Sequence, residues 1–534
     1  MKMERLALKS IREVSPSWWL VPLAVILIPG FSLLSGCKAD PVVTSGNTEI
    51  LQSFSTPNAD THFRITRPIE LTRLANEWEP QQALILSISF SEALEDLENI
   101  RHLASILNVA HDYLDIYVFG DQEEYKQYAQ FLALLNQHPR IESIVEKTRF
   151  IDSRKLLRWV RDFGPIFGFG IDGQLVTIDP VYRDMMKPLE EGALHTDEPL
   201  NPLRDLYNLH GDAMPSEVAA LLQAEYNIPV KIARPPVSMD GGDFISDGMG
   251  SGFISRQTLV RNGGDRTELE SVFQRYFGIQ KLHILEALPG RTVPHLDMIV
   301  KFLDSETIVL PDFKTSEEKE INPYHSDLNR NVRRALDKNE RYLREQFPNH
   351  RILKVPMPSI LFKSREEIVS EAKQTFVKAY ALEKALVDAE IINLISDTQL
   401  VELERQVLRT VKQEMPTADF GSAEAFDAVL RHYGQVPLDA IIDRYSEPAT
   451  RYRSYINSVF LHNEDGRQAF LVPRFTSPDS TESGLLNEWE AEVEIAYRTA
   501  WPEAKIYWIN CDSMVSDFGF LHCVTATVPL LKRN

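Results

Sequence analysis

Ala83-Leu-Ile-Leu-Ser-Ile-Ser89 is a short, nearly unbroken apolar run without the three-and-four spacing of a helix face, and it reads as a strand. An amphipathic helical pattern follows from Ser91 to Asp112, then a second strand, Leu114-Asp-Ile-Tyr-Val-Phe119, and a helix from about Glu123 to Gln137. The alternation returns at 175–232, 252–286 and 457–510. No close sequence repeat accompanies it, yet the unit of strands plus helix recurs roughly every 70–90 residues, as supersecondary arrays do. Such recurrence predicts an α/β fold built as a radial array instead of one wound sheet. The rhythm breaks over 314–450, which is charged and helical. In Ser364 to Val387 and Thr398 to Glu414 apolar residues recur at three and four. This stretch reads as an insertion packed on the core, or as a helical lid or partner-binding surface.

At 534 residues, 43% hydrophobic and 25% charged, the chain can bury a full core. A net charge of −20 excludes nucleic acid as an expected partner, because phosphate binding needs clustered Lys and Arg. The same charge serves solubility or draws in cations. Lys2, Arg5, Lys9 and Arg12 precede an apolar segment, Trp18 to Leu34, and then Leu34-Ser-Gly-Cys37. That arrangement resembles a bacterial lipobox, with Cys37 lipidated and becoming the first residue of the mature protein. An uncleaved membrane anchor is the competing reading. The expectation is an exported protein held on a membrane by lipid at Cys37, with residues 1–37 removed or anchoring and 38–75 acting as a polar tether.

Only Cys511 and Cys523 then remain. Export would allow a disulfide between them, which would block either thiol. The preferred reading is a buried, inert Cys511 beside a reactive Cys523.

Four separated segments carry candidate chemistry. Trp159-Val-Arg-Asp-Phe-Gly-Pro165 puts Arg161 and Asp162 at an expected strand end before a Gly-Pro turn. Asp162 could grip a guanidinium through paired charge-assisted hydrogen bonds, with Trp159 over its flat face. Met239-Asp240-Gly-Gly-Asp243 sets two glycines between carboxylates, allowing close backbone approach. Pro294-His295-Leu-Asp297 precedes the expected strand Met298 to Phe302, so His295 and Asp297 would share one face, one moving protons and the other holding a cation. Asp517-Phe-Gly-Phe-Leu-His-Cys-Val-Thr525 delivers a thiol after a glycine-containing loop; in an extended chain His522 would point away from Cys523. Each motif alone has a structural reading: an ion pair, a turn, a hydrogen-bonded core histidine, a small core cysteine. A zinc site lacks a second His-rich motif at ligand spacing.

Taken together and in this order, the segments resemble the guanidino-group-modifying enzymes of the pentein fold, in the branch of agmatine deiminases and bacterial peptidylarginine deiminases. Glu77-Trp-Glu-Pro-Gln81 matches the opening segment of that family, and Arg453-Ser-Tyr-Ile-Asn-Ser458 with the 470–475 run matches its late strand. Ile509-Asn-Cys-Asp512 through Pro529 matches the nucleophile segment. The likeness covers about 77–312 and 452–531. It implies five αβ units closing into a propeller-like ring, residues 76–313 and 451–534 forming the catalytic domain around the 314–450 insertion. It also implies Cys523 as nucleophile, His295 as general acid and base, Asp162 and Asp297 as guanidinium holders, and Asp240 as support for the histidine. No metal or organic cofactor is implied. The substrate would be a small guanidine or an arginine-containing peptide: agmatine, arginine or peptidylarginine.

The chain departs from the agmatine-specific pattern in three places. Asp240 stands where Glu-Gly-Gly is usual, Ser516-Asp-Phe-Gly-Phe520 replaces a glycine-rich loop with Asn, and Phe163 follows Arg-Asp. Two other readings remain open at this level: a non-catalytic binding lipoprotein of the same fold, and amidine transfer through the same covalent intermediate.

Overall fold

The opening apolar run forms β2 (Gln81–Ser87), which follows a short β1 (Leu71–Leu74). Ala83 to Leu86 have no exposed surface, as expected of a strand covered on both faces. The computed structural model describes residues 64–88, 97–121, 148–153, 156–182, 202–289, 295–314, 323–361, 365–384, 386, 397–435, 437–439, 451–477, 480–517 and 519–531. Cys37, most of the tether and the helix expected over 123–137 lie outside these residues. So does the start of the helix expected from Ser91; its described part is α1 (Leu97–Ala110).

The described residues form five separate sheets built to one plan. In each, a first strand runs antiparallel to a second, a helix follows, and a third strand returns parallel to the second. A parallel neighbour requires such a crossover. One sheet uses β5 (Ile166–Gly170), β6 (Leu175–Ile178), α3 (Pro202–Tyr226) and β7 (Val230–Ala233), with β1 added outside β5. The next uses β8 (Ile245–Ser246), β9 (Ser251–Ser255), α4 (Arg256–Arg261), α5 (Arg266–Phe277) and β10 (Lys281–Leu285). A third comprises β11 (Lys301–Phe302), β12 (Thr307–Phe313), α6 (Pro323–Gln346) and β13 (Arg351–Met357). The fourth comprises β14 (Val459–His462), β15 (Gln468–Arg474), α10 (Ser480–Ala500) and β16 (Lys505–Asn510). The last joins the chain ends: β17 (Ala526–Pro529) is the antiparallel partner of β2, which continues through α1 to β3 (Asp115–Gly120) and β4 (Arg149–Asp152).

Local chemistry explains the joints. Gly173 (φ 78°) and Gly466 (φ 79°) occupy equivalent turns between first and second strands, a backbone region that side chains disfavour. The second Gly-Gly-Asp, at 263–265, has a structural task. Asp265 caps α5, accepting hydrogen bonds from the amides of Thr267 and Glu268, and Gly278 ends the helix at φ 66°. Side chains from neighbouring units interlock: Val176, Ile178, Ile254, Phe273, Phe277 and Leu282 share one buried cluster.

The chain divides into two compact units, the larger holding all five sheets and the smaller centred on 360–451. The insertion expected from 314 therefore begins at 360 instead. β13 pairs with β12 from Arg351 to Met357, so residues up to 359 complete a sheet. The charged α6 read as insertion because its buried stripe is narrow: Leu328, Val332, Leu336 and Leu343. Within the smaller unit, α7 (Arg365–Glu383), α8 (Asp397–Glu414) and α9 (Ala423–His432) have a core of their own, including Phe376, Val407, Phe420, Phe426 and Val429. Leu361 and Arg451 exchange backbone hydrogen bonds of 2.9 and 3.0 Å, so this unit leaves and rejoins the chain at one point. Among the described residues, no helix is long and apolar enough to cross a membrane.

Candidate active site

Every one of the five repeated units contributes a polar side chain from the segment just ahead of its first strand. Asp162 precedes β5, Asp240 precedes β8, His295 and Asp297 precede β11, Asn457 precedes β14 and Cys523 precedes β17. Five equivalent positions thus supply one cluster, which is why its members are so far apart in sequence.

Each segment is a tight turn. Asp162 lies in a single helical turn, α2 (Val160–Phe163), and not at a strand end; Gly164-Pro165 then starts β5. Asp240 caps a 3-10 turn over Gly241–Asp243. A side chain on Gly241 would collide with the Arg161 carbonyl at 2.1 Å, and one on Gly242 would lie 2.7 Å from His295 Nδ1, so the paired glycines bring this backbone against the imidazole. Asp243 faces elsewhere: it accepts from Ser255 Oγ at 2.7 Å and from Thr258 Oγ1, anchoring the turn to α4.

The expected strand spacing of His295 and Asp297 is replaced by another 3-10 turn, Leu296–Met298, with His295 as its cap. Ile299 and Val300 both donate backbone hydrogen bonds to the Leu296 carbonyl, which tightens the chain before the short β11. The nucleophile segment is also turned, not extended. Thr525 donates from its amide to the His522 carbonyl at 3.2 Å and from Oγ1 to the Leu521 carbonyl at 2.9 Å. His522 is therefore brought into the site that an extended chain would have turned it away from.

The reactive groups are buried and in contact. Cys523, 2% exposed, has Sγ 3.3 Å from Asn457 Nδ2 and 3.5 Å from Asp297 Oδ2. His295 lies between two carboxylates, with Nδ1 3.4 Å from Asp162 Oδ1 and Nε2 3.3 Å from Asp240 Oδ2. His522 Nδ1 is 2.8 Å from Asp297 Oδ2, and its Nε2 is 2.8 Å from Glu77 Oε1. Asp297 Oδ1 is buried without a hydrogen-bond partner among the described residues. Such an acceptor awaits a donor.

Burial, then the Asp297 carboxylate and after it Asp162, push the Cys523 thiol up to about 11, against the hydrogen bond and charge of His295. Burial also opposes charge on His295, but Asp162, Asp240 and the contact with Cys523 outweigh it and hold its pKa well above the usual value. Burial raises Asp297, yet the bond and charge of His522, followed by His295 and Arg161, bring it below the normal carboxylate range. These shifts favour charge on His295 and Asp297 and a neutral Cys523 thiol, and Asp297 keeps an oxygen to spare. The site can receive a planar cation whose charge would favour the thiolate.

Arg161 bridges site segments: Nη1 pairs with Glu77 at 2.7 Å, Nε donates to the His522 carbonyl and the amide donates to the Cys523 carbonyl. Trp159 packs where a side chain on Gly519 would meet its ring at 2.5 Å, and the Arg158 guanidinium lies 4.8 Å from its ring centroid. Cys511 and Cys523 are both free thiols. Cys511 touches His102, and burial holds its thiol far above the ordinary value. His295, Asp297 and Cys523 offer ligand atoms within 4.8 Å of one another, a geometry that could also take a metal ion.

Sequence reasoning singled out neither Asn457 nor Glu77 for this cluster, and it turned His522 away from it. All three lie within segments of the resemblance; for Asn457 and His522 the missing signal was the shared position ahead of a first strand, whereas Glu77 stands ahead of β2, a second strand.

The sequence matches the Porphyromonas-type peptidyl-arginine deiminase family over residues 73–529. The chain belongs to that family. It is a deiminase, a hydrolase acting on C–N bonds of linear amidines. Among solved structures it is similar to the agmatine deiminase of Enterococcus faecalis, with 16% identity over 90% of this chain and 99% of that one and a TM-score of 0.50. An agmatine deiminase of C. jejuni with substrate bound gives 15% identity over 85% and 96% of the two chains and a TM-score of 0.51. At such identities the likeness is one of fold. No curated protein matches the sequence.

Proposed function

We propose that this protein is a guanidine iminohydrolase in which Cys523 forms a covalent thiouronium, and that its five units are the blades of a pentein ring around that cysteine. The observation that carries the reading is the convergence, in one buried, carboxylate-lined site, of Cys523, of His295 held between Asp162 and Asp240, and of an Asp297 Oδ1 with no partner among the described residues.

The guanidinium is held by Asp297 and Asp162, and its charge lowers the energy of the thiolate. As the cation binds, the Cys523 thiol gives its proton to water. The thiolate attacks the guanidinium carbon, forming a C–S bond as the C=N electron pair moves to nitrogen; sulfur is reprotonated from the ureido hydroxyl when that C–S bond later breaks. His295 gives its proton to the departing nitrogen, which leaves as ammonia with the C–N electron pair. The neutral imidazole then takes a proton from water, whose oxygen attacks the thiouronium carbon; the C–S bond breaks and a ureido product leaves. Asp162 and Asp240 on either side of the ring stabilise its charged form in both halves of the reaction.

The substrate class we propose is agmatine, arginine or peptidylarginine. The family's name speaks for the peptide, the agmatine deiminases of similar fold for the small amine. Leu34-Ser-Gly-Cys37 supports a lipid-anchored, exported protein, which fits a peptidyl or free arginine substrate outside the cytoplasm. The test is ureido product and ammonia from the purified protein with agmatine, free arginine, and peptides carrying internal or C-terminal arginine, under reducing conditions. Equal yields of both products from any of them support the reading, and the best substrate fixes the branch. Folded protein that turns over none of them, with Cys523 reduced, removes it.

A further inference from the structure

His522 has a carboxylate oxygen at 2.8 Å from each ring nitrogen, Asp297 on one side and Glu77 on the other. Each nitrogen is within hydrogen-bond distance of one carboxylate, so the ring bridges the two. Its backbone is fixed as well, because the amide donates to Asn457 Oδ1 at 3.1 Å and the carbonyl accepts from Arg161 Nε. Glu77 is itself held by Arg161 at 2.7 Å and Lys301 at 3.6 Å, and Lys301 is tied to the Ser458 carbonyl at 2.9 Å. These groups form a continuous chain from partly exposed Glu77 to buried Asp297, along one wall of a cavity of about 90 Å³.

Asp297 is the end of that chain. One oxygen is taken by His522 and lies 3.5 Å from the nucleophile; the other has no partner among the described residues. A carboxylate is free to turn about its last bond unless something fixes its plane. From this geometry we infer that His522 is a positioning residue: anchored by Glu77, it fixes the carboxylate plane of Asp297 so that one oxygen is presented to the substrate guanidinium. This rests on the deiminase reading above and adds to it the residue that orients the cation's holder. Supporting groups of this kind change activity by about ten- to a hundred-fold when removed.

Asparagine and glutamine separate the two halves of the bridge. His522→Asn keeps a donor near the position of Nδ1, toward Asp297, and His522→Gln keeps one near Nε2, toward Glu77. The expected order in kcat/KM is wild type, then Asn, then Gln together with His522→Phe, the last two lower than wild type by about ten- to a hundred-fold. Gln equal to or better than Asn would overturn the inference, because a role limited to anchoring Glu77 gives that order. Wild-type kcat/KM in the Phe variant would overturn it too. Should the Phe variant fail to fold, the Asn and Gln pair still decides.

Failure of the deiminase reading is seen separately, as absence of turnover by wild type. The inference is then read from protection of Cys523 against iodoacetamide by guanidinium chloride. Protection retained by wild type and Asn but lost by Gln supports it; protection equal in Asn and Gln refutes it.

Discussion

Replacing Cys523 by alanine is expected to remove ureido-product formation by a factor of about 10⁴ or more, the scale seen when a covalent nucleophile is lost. The thiol is the buried sulfur in contact with Asn457 and Asp297. Cys511 cannot stand in: it lies against His102, and burial keeps its thiol protonated. The fold should tolerate the change, because the sulfur's hydrogen bonds to Asn457 and Asp297 are long, at 3.3 to 3.6 Å, and alanine keeps the backbone bond to Arg161. The check is steady-state turnover beside thermal unfolding of the same preparation. Residual activity within tenfold of wild type would show that another group makes the bond.

Asp297→Asn should have two effects of opposite sign. Loss of a buried charge facing a cation costs about 3–5 kcal/mol, a fall in kcat/KM of about 10²–10⁴-fold. The same carboxylate is one of the groups that push the Cys523 thiol up to about 11. Removing it lowers that pKa, so a larger fraction is thiolate at any pH below 11 and iodoacetamide should alkylate the variant faster than wild type at pH 8. Alkylation and turnover measured on one sample test this. A variant slower in both would mean that Asp297 activates the thiol instead of holding the cation.

The fold was legible where pattern and topology agree. Ala83–Ser89 and Leu114–Phe119 announced buried strands, and the recurring unit announced an array in place of a single sheet. The boundary at 314 misled because α6 shows solvent a charged face like that of the following helices, whereas the pairing of β13 with β12 is a long-range fact. The residue types of the site were visible in its motifs, but their local geometry was not. The turns that hold Asp162, His295 and Cys523 depend on backbone hydrogen bonds that apolar spacing does not encode. The reversal of His522 follows from this, since period-two reasoning applies only to extended chain. Asn457 escaped notice because an asparagine beside serines announces no chemistry until Cys523 is placed 3.3 Å away.

The most direct test of the central claim is mass analysis of peptides after acid quench of the enzyme during turnover. The account predicts a single adduct on the peptide containing Cys523, with the mass of the substrate less one ammonia, absent from Cys523→Ala. Turnover with no adduct on that peptide, or with the adduct on another residue, would contradict it.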